Sequence, residues 1–167
     1  MKLAILYASR YGSTRRAAET IAVRCREAGM DASDVLTEEI TRSTPVPEAD
    51  TLLVGAPVYG GKIPREVSRF LDAHLERLTQ ERVGLFLSSL YAGTRAETQL
   101  ADNVPSRLIT HSFGCYYVGG RIDFDSLSWW DRFIMKRIAG VEQSVDTTNA
   151  DELERIVTDV MRGRPAL

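Results

Sequence analysis

The fold is decided by an apolar run, Leu3-Ala4-Ile5-Leu6-Tyr7-Ala8, which leads into a hydroxyl-rich loop, Ser9-Arg10-Tyr11-Gly12-Ser13-Thr14, and then into a helical pattern from Arg15. A continuous apolar run is typical of a parallel strand that is buried on both faces. The helix that follows points its unpaired N–H groups and the positive end of its dipole at the loop. Such a loop can hold a phosphate without a lysine. In the simpler alternative, Ser13 and Thr14 only cap the helix.

The composition is typical of a globular protein with its own core. The chain has 167 residues, of which 44% are hydrophobic, and a formal net charge of −2. These values favour a single domain over residues 1–167, and they argue against nucleic acid as the main partner because domains that follow a phosphate backbone carry a basic excess. No apolar run approaches the roughly 18 to 20 residues of a membrane span and the first residues lack a signal-peptide layout, so we expect a cytoplasmic protein.

The cysteine and histidine residues favour structural roles. Cys25 and Cys115 fall within apolar patterns, which predicts small buried side chains and no metal site. His74 lies on an apolar helical stripe and His111 starts the last strand pattern, so we expect both to support the fold.

Five strand patterns alternate with helical patterns along the chain. The strands are predicted over residues 3–8, 31–36, 51–56, 82–87 and 111–118. The helices are predicted over 15–28, 64–78 and 95–103, from 128 onward and after 149, with a frayed tail over 162–167. This alternation predicts an α/β fold, with a parallel sheet and helices on both faces, whose ligand lies beyond the carboxyl ends of the strands.

Three of these strands end in unusual loops. The first loop is the hydroxyl-rich stretch 9–14, and the other two are Pro57-Val58-Tyr59-Gly60-Gly61-Lys62 and Ser88-Ser89-Leu90-Tyr91-Ala92-Gly93. The second and third loops carry aromatic and glycine residues that suit a flat ring. Together the loops indicate a ligand with a phosphate at one end and a planar ring system at the other.

The order of elements and these three loops resemble the flavodoxin family over essentially the whole chain. The resemblance implies a flavodoxin-like three-layer sandwich, a parallel sheet in the order 2-1-3-4-5 and non-covalently bound FMN, with no catalytic side chain because the flavin carries the chemistry. It places the phosphate in the first loop, Tyr59 and Tyr91 beside the flavin ring, and Gly60-Gly61 in a turn near flavin N5. The implied cofactor-binding residues are Ser9, Arg10, Tyr11, Gly12, Ser13, Thr14, Pro57, Val58, Tyr59, Gly60, Gly61, Ser88, Ser89, Leu90, Tyr91 and Gly93.

Two features depart from flavodoxins that only carry electrons. The third loop has no acidic residue between Ser88 and Gly93, and Arg95 follows it, whereas carrier flavodoxins are usually more acidic around the ring. The stretch 119–136, which contains Trp129-Trp130-Asp131-Arg132-Phe133, is similar to the flavodoxin-type, menaquinone-dependent protoporphyrinogen IX dehydrogenases. That likeness implies an enzyme that oxidises a porphyrinogen and passes the electrons to a membrane quinone, with a place at the inner face of the cell membrane.

Residues 119–147 are expected to form an extra, helix-containing segment after the last strand. Ser128 and Asp131 predict a capping box. A broad apolar arc of Leu127, Trp129, Trp130, Phe133, Ile134 and Ile138 opposes Ser128, Arg132 and Lys136. Such a face can lie on a bilayer, receive an anionic tetrapyrrole or close the edge of the sheet as a core helix. The candidates for substrate or membrane contact are Arg121, Trp129, Trp130, Arg132 and Phe133, with an internal salt bridge as the alternative for Arg121.

Other functions remain as alternatives. A flavodoxin that carries electrons between protein partners shares the same cofactor and loops. A response-regulator receiver is disfavoured because the first strand ends in Ala8-Ser9 and the third in Gly55-Ala56, where a receiver has aspartates. An interaction protein that has lost its cofactor is the third alternative.

Overall fold

A computed structural model of the protein describes residues 1–124, 127–134, 136–137 and 143–163. Five of its strands are β1 (Leu3–Tyr7), β2 (Val35–Glu39), β3 (Thr51–Pro57), β4 (Val83–Ser88) and β5 (Gly114–Tyr117). They form one sheet in the order β2-β1-β3-β4-β5, and every neighbouring pair is parallel. The predicted strand order is confirmed.

Helices connect and flank these strands. They are α1 (Ser13–Glu27), α2 (Arg65–Ala73), α3 (Leu75–Leu78), α4 (Thr94–Asn103), α5 (Ser106–His111), α6 (Trp129–Ile134) and α7 (Ala150–Arg162). A short antiparallel ribbon of β6 (Arg121–Ile122) and β7 (Val145–Asp146) lies between β5 and α7 in the chain. Among the residues that the structure describes, none of these helices has both the length and the apolar character needed to cross a bilayer.

The sheet is covered on both faces, which gives three layers. Alternate residues of a strand point to opposite faces. In β1, Leu3 and Ile5 pack in the cluster that includes residues of α1 and α7, whereas Ala4 and Leu6 pack with residues of α2, α4 and α5. The predicted sandwich of helices on both faces of a parallel sheet is therefore confirmed.

The two outer helices α1 and α7 follow their predicted patterns. The buried residues of α1 include Ala18, Ile21 and Cys25. Helix α7 begins as expected, because the side chain of Asn149 accepts a hydrogen bond of 3.2 Å from the Glu152 N–H. Its buried side chains are Leu153, Ile156, Val157 and Val160.

Four predictions about local structure were wrong in part. The strand 31–36 begins only at Val35, since Ala32–Asp34 form a 3₁₀ turn. The helix 64–78 is interrupted at His74, between α2 and α3.

The other two errors concern the last strand of the sheet. His111 does not start that strand; it ends α5, a helix that follows Pro105, and its Nε2 lies 2.8 Å from the Glu81 carbonyl oxygen. Cys115 is half-buried rather than fully buried. The predicted tail beyond Gly163 lies outside the described residues.

Candidate functional site

A cleft of about 670 Å³ lies at the carboxyl ends of the central strands. This volume falls within the range of about 300 to 1,000 Å³ that small-molecule sites occupy. All three predicted loops contribute to its wall. The predicted site residues that line it are Arg10, Tyr11, Ser13, Val58, Tyr59, Gly60, Gly61, Ser88, Ser89, Leu90 and Tyr91.

The first loop holds a buried hydroxyl group with no partner. Gly12 is the N-cap residue of α1, has φ +83° and provides no side-chain cap, so neither Ser13 nor Thr14 caps the helix. Ser9 Oγ accepts a hydrogen bond of 3.3 Å from the Arg15 N–H. Thr14 is fully buried, and its Oγ1 has no hydrogen-bond partner in the part of the chain that the structure describes. An unsatisfied buried hydroxyl costs about 1 to 3 kcal/mol, so a ligand at this loop would satisfy it. Thr14, Ser9 and Gly12 do not themselves line the cleft, to which the first loop contributes Arg10, Tyr11 and Ser13.

Ser13 connects the first loop to the ribbon of β6 and β7. Its Oγ accepts a hydrogen bond of 2.7 Å from the Arg121 N–H and lies 2.5 Å from the Arg121 carbonyl oxygen, to which it donates. The Arg121 side chain lies 3.9 Å from Asp146 across the ribbon. Arg121 does not line the cleft, whereas its neighbours Gly120 and Ile122 do. Among the described residues, the Arg121 guanidinium thus makes an internal ion pair with Asp146, which was the alternative to substrate contact.

The second loop contains a tight two-glycine turn. Tyr59 and Lys62 exchange backbone hydrogen bonds of 2.9 and 3.0 Å. Gly60 has φ +56° and Gly61 has φ +79°, a combination that residues with a Cβ rarely adopt. Asn103, which was not among the predicted site residues, anchors this turn from α4, because its Nδ2 donates to the Gly61 carbonyl oxygen at 2.8 Å. Its position at the end of a predicted helix gave no signal of this contact.

Two tyrosines meet beside this turn. The rings of Tyr11 and Tyr59 pack edge to face, with centroids 5.3 Å apart. Burial raises the pKa of Tyr59 to about 12, because the phenolate form is poorly solvated there. Tyr59 is therefore a neutral, half-buried aromatic wall of the cleft.

The third loop is tied to its neighbours through two serines. Ser88 Oγ donates a hydrogen bond of 3.0 Å to the Gly119 carbonyl oxygen. Ser89 Oγ accepts from the Tyr91 N–H at 3.2 Å and donates to Gln99 Oε1 at 2.9 Å. Pro57 is the last residue of β3 and Gly93 is the N-cap residue of α4, so both flank the cleft loops without lining the cleft.

Helix α6 is attached to the first loop through Asp131. Tyr11 donates to Asp131 Oδ1 at 3.0 Å, and Arg10 Nη2 lies 3.3 Å from the same oxygen. The predicted capping pair is present, since Ser128 Oγ accepts from the Asp131 N–H at 3.2 Å and donates to Asp131 Oδ2 at 2.7 Å. The hydrogen bonds from Ser128 and Tyr11 hold the pKa of Asp131 below its ordinary value. Arg132 instead contacts its own segment, through a bond of 3.1 Å from Nε to the Leu127 carbonyl.

The aromatic residues of α6 face solvent. Trp129, Trp130 and Phe133 are 68, 58 and 57% exposed, and the two indole rings stack with centroids 4.0 Å apart. These three side chains therefore do not form the core helix that was one alternative. Leu127 packs in a small cluster with Ile122. Ile138, which completes the predicted arc, lies outside the described residues.

The cleft also has a wall that the sequence analysis did not include. Arg95, Thr98 and Gln99 of α4 line it. The sequence could have indicated this wall, because the three residues are spaced i, i+3 and i+4 directly after the third loop. Residues with this spacing share one face of a helix.

The raised pKa of Tyr59 predicts a loss of stability at high pH. An unfolded tyrosine ionises near pH 10, whereas Tyr59 in the folded protein ionises only at about 12. The contribution of neutral Tyr59 to the free energy of unfolding is therefore complete below about pH 10 and is lost as the pH rises toward 12. We expect the urea midpoint to fall between about pH 9 and pH 11, and to fall less in Tyr59→Phe. An equal fall in both proteins would contradict this role of Tyr59.

Comparisons with known proteins agree with this geometry. The flavodoxin domain family model matches residues 4–149. Protoporphyrinogen IX dehydrogenase [quinone] from Escherichia coli strain K12 is 24% identical over 143 residues, which cover 83% of this chain and 78% of that protein.

Solved structures share the fold. Two-electron reduced Megasphaera elsdenii flavodoxin has a TM-score of 0.60 at 22% identity, with 96% of this chain and 98% of that chain covered. Oxidised Flavodoxin 1 from Bacillus cereus has a TM-score of 0.56 at 20% identity, with 98% of this chain and 97% of that chain covered. The family indicates FMN as the cofactor. The chain belongs to the flavodoxin domain family.

Proposed function

We propose that this protein is an FMN-dependent oxidoreductase of the quinone-dependent protoporphyrinogen IX dehydrogenase type, with FMN held non-covalently in the cleft. The observation that carries the cofactor site is the Thr14 hydroxyl, which is fully buried at the start of α1 and has no hydrogen-bond partner among the described residues. A phosphate oxygen is an acceptor for this donor. The N-terminus of α1 and the glycine at its N-cap add N–H groups and close backbone approach.

The loops divide the task of holding FMN. In this proposal the residues 9–14 bind the phosphate, while Tyr59 and Tyr91 lie beside the flavin ring. Pro57 and Gly93 fix the ends of the second and third loops, whose residues Val58, Gly60, Gly61, Ser88, Ser89 and Leu90 complete the wall. The bound flavin supplies the redox chemistry, in which a reduced substrate loses electrons and protons and an acceptor takes them up.

The charge of the cleft favours an anionic substrate over a carrier role. Among the described residues that line it are Arg10 and Arg95, and no aspartate or glutamate. Carrier flavodoxins use acidic residues around the ring to attract basic partners, whereas this rim has Arg95, which has no ion pair among the described residues, and Arg10, which is paired with Asp131. The porphyrinogen, which carries carboxylates, would be the reductant and a quinone the oxidant. The 24% identity to a protein named for that reaction supports the same assignment.

Removal of the Thr14 hydroxyl tests the cofactor site. We expect Thr14→Val to weaken FMN binding about tenfold or more, because a charge-assisted hydrogen bond is worth roughly 1.5 to 3 kcal/mol. The protein without FMN should be at least as stable as the wild type, since an unpaired buried hydroxyl is removed. Quenching of flavin fluorescence measures the affinity. Thr110→Val, an exposed position on α5, is the control, and equal FMN affinity in all three proteins would contradict the site.

Turnover tests the reaction. We expect the FMN-loaded protein to convert protoporphyrinogen IX into fluorescent protoporphyrin without oxygen when a menaquinone analogue is the acceptor. The control is free FMN at the same concentration, which measures the uncatalysed rate. A rate no greater than this control, together with electron transfer to a protein acceptor, would replace the enzyme assignment with the electron carrier.

The exposed aromatic residues of α6 support a second part of the proposal, contact with an anionic lipid surface. Trp129, Trp130 and Phe133 form a patch on one short helix, and the exposed Lys136 and Arg137 follow it in the chain. Tryptophan is enriched at membrane interfaces, and basic residues beside it are attracted to anionic lipids. Asp131 connects this helix to Arg10 and Tyr11 at the cleft, so a membrane below α6 would place a quinone near the flavin.

Vesicle sedimentation tests this contact. We expect the protein to pellet with vesicles that contain phosphatidylglycerol, less so at high salt because ions screen the basic residues. The variant Trp129→Ser, Trp130→Ser, Phe133→Ser should stay in the supernatant. The matched control is Val23→Ser, Leu36→Ser, which removes exposed apolar side chains of α1 and β2. Equal pelleting of both variants and the wild type would remove the membrane contact from the proposal.

A further inference from the structure

We propose that Arg95 and Gln99 of α4 form a carboxylate-binding subsite in the cleft, which takes an acidic side chain of a tetrapyrrole substrate. The inference rests on the proposed function, because it places this substrate in the same cleft as the flavin.

The two residues share one face of α4. They are four positions apart, which brings their side chains to adjacent turns of the helix, and both line the cleft. Thr98 also lines it, but its hydroxyl already donates to the Thr94 carbonyl oxygen at 2.9 Å. A carboxylate has only acceptors, so Arg95 and Gln99 are the donors that remain on this face.

Arg95 is held in place without using its N–H groups. Its guanidinium carbon lies 3.6 Å from the centroid of the Tyr91 ring, and this stacking orients the planar group. Within the part of the chain that the structure describes, Arg95 makes neither a hydrogen bond nor an ion pair. A guanidinium fork in this state is suited to a carboxylate, which it binds through two parallel hydrogen bonds.

Gln99 offers a second donor in a nearly buried position. The residue is only 8% exposed, and its Oε1 is fixed by the hydrogen bond from Ser89 Oγ. Its Nε2 makes no hydrogen bond to the described residues, so the amide hydrogens remain available at the cleft wall. A carboxylate in the cleft would accept a hydrogen bond from this amide, because a carboxylate has only acceptor atoms.

The position of Arg95 separates it from the phosphate site. The phosphate loop follows β1, whereas Arg95 follows β4, and β3 lies between these two strands. Neighbouring strands are about 4.8 Å apart, so the two strands stand about 10 Å apart. Arg10 is the lining cation within the proposed phosphate loop, and it already contacts Asp131. Arg95 is therefore a second cationic position, at the end of the cleft where Tyr91 would flank the ring.

Binding of a porphyrin with and without free carboxylates tests the subsite. FMN-loaded protein is titrated with protoporphyrin IX and with its dimethyl ester, and porphyrin fluorescence reports binding. We expect the wild type to bind the diacid at least tenfold more tightly than the ester. Arg95→Ala should lose this preference, and Arg95→Lys should keep only part of it, because lysine retains the charge without the fork. Gln99→Met should lower the affinity for the diacid severalfold.

Two controls make the result decisive. Arg69→Ala removes an exposed arginine of α2 that does not line the cleft, and it should bind the diacid like the wild type. The FMN affinity of every variant is measured separately. Equal diacid affinity in Arg95→Ala and wild type, no preference over the ester, or a parallel loss of FMN affinity would overturn the subsite. Diacid binding that depends on Arg95 in a protein that takes up no FMN would keep the subsite and overturn the proposed function.

Discussion

The parallel register of three neighbouring strands is the constraint on which the cleft depends. Tyr7 of β1 pairs with Gly55 of β3, and Pro57 of β3 pairs with Ser88 of β4, so the strands end at the same edge of the sheet. Backbone hydrogen bonds continue beyond this edge, because Val58 N–H donates to the Ser88 carbonyl at 3.0 Å. Loops that are far apart in the chain therefore meet as the walls of one cleft.

The extra segment after β5 is part of this same assembly. The Ser13 hydroxyl bonds to the Arg121 backbone, and Tyr11 bonds to Asp131 at the start of α6. The loop proposed to hold the phosphate and the helix that carries the exposed aromatic residues are thus directly connected. Because of this connection, a surface that contacts α6 would lie near the proposed cofactor site. The sheet would not have to change for this contact to form.

Much of the fold could be predicted because its signals are local. Apolar runs such as 51–56 and the stripe of α7 depend on neighbouring residues alone, and a parallel sheet follows from their alternation. The errors occurred where longer contacts decide the structure. The sequence pattern predicts that His111 starts a strand, yet His111 ends α5, and its side chain contacts the Glu81 carbonyl oxygen. For Arg121 the sequence left two contacts open, a substrate carboxylate and an internal salt bridge, and in the structure its Nε lies 3.9 Å from Asp146 Oδ2 on the opposite strand of the ribbon.

By itself, the sequence determined the three loops and the residues that bear hydroxyls and rings, because these depend on composition and local spacing. The strand order was implied by the resemblance to a known family. Only the tertiary structure decided which of those groups have partners. Among the described residues, the Thr14 hydroxyl has no partner, the Ser13 hydroxyl bonds to the Arg121 backbone, and Gln99 lines the cleft while its carbonyl oxygen accepts from Ser89. The physical reason is that a hydrogen bond requires two groups within about 3 Å, and distant parts of a chain reach that distance only when the whole sheet has formed.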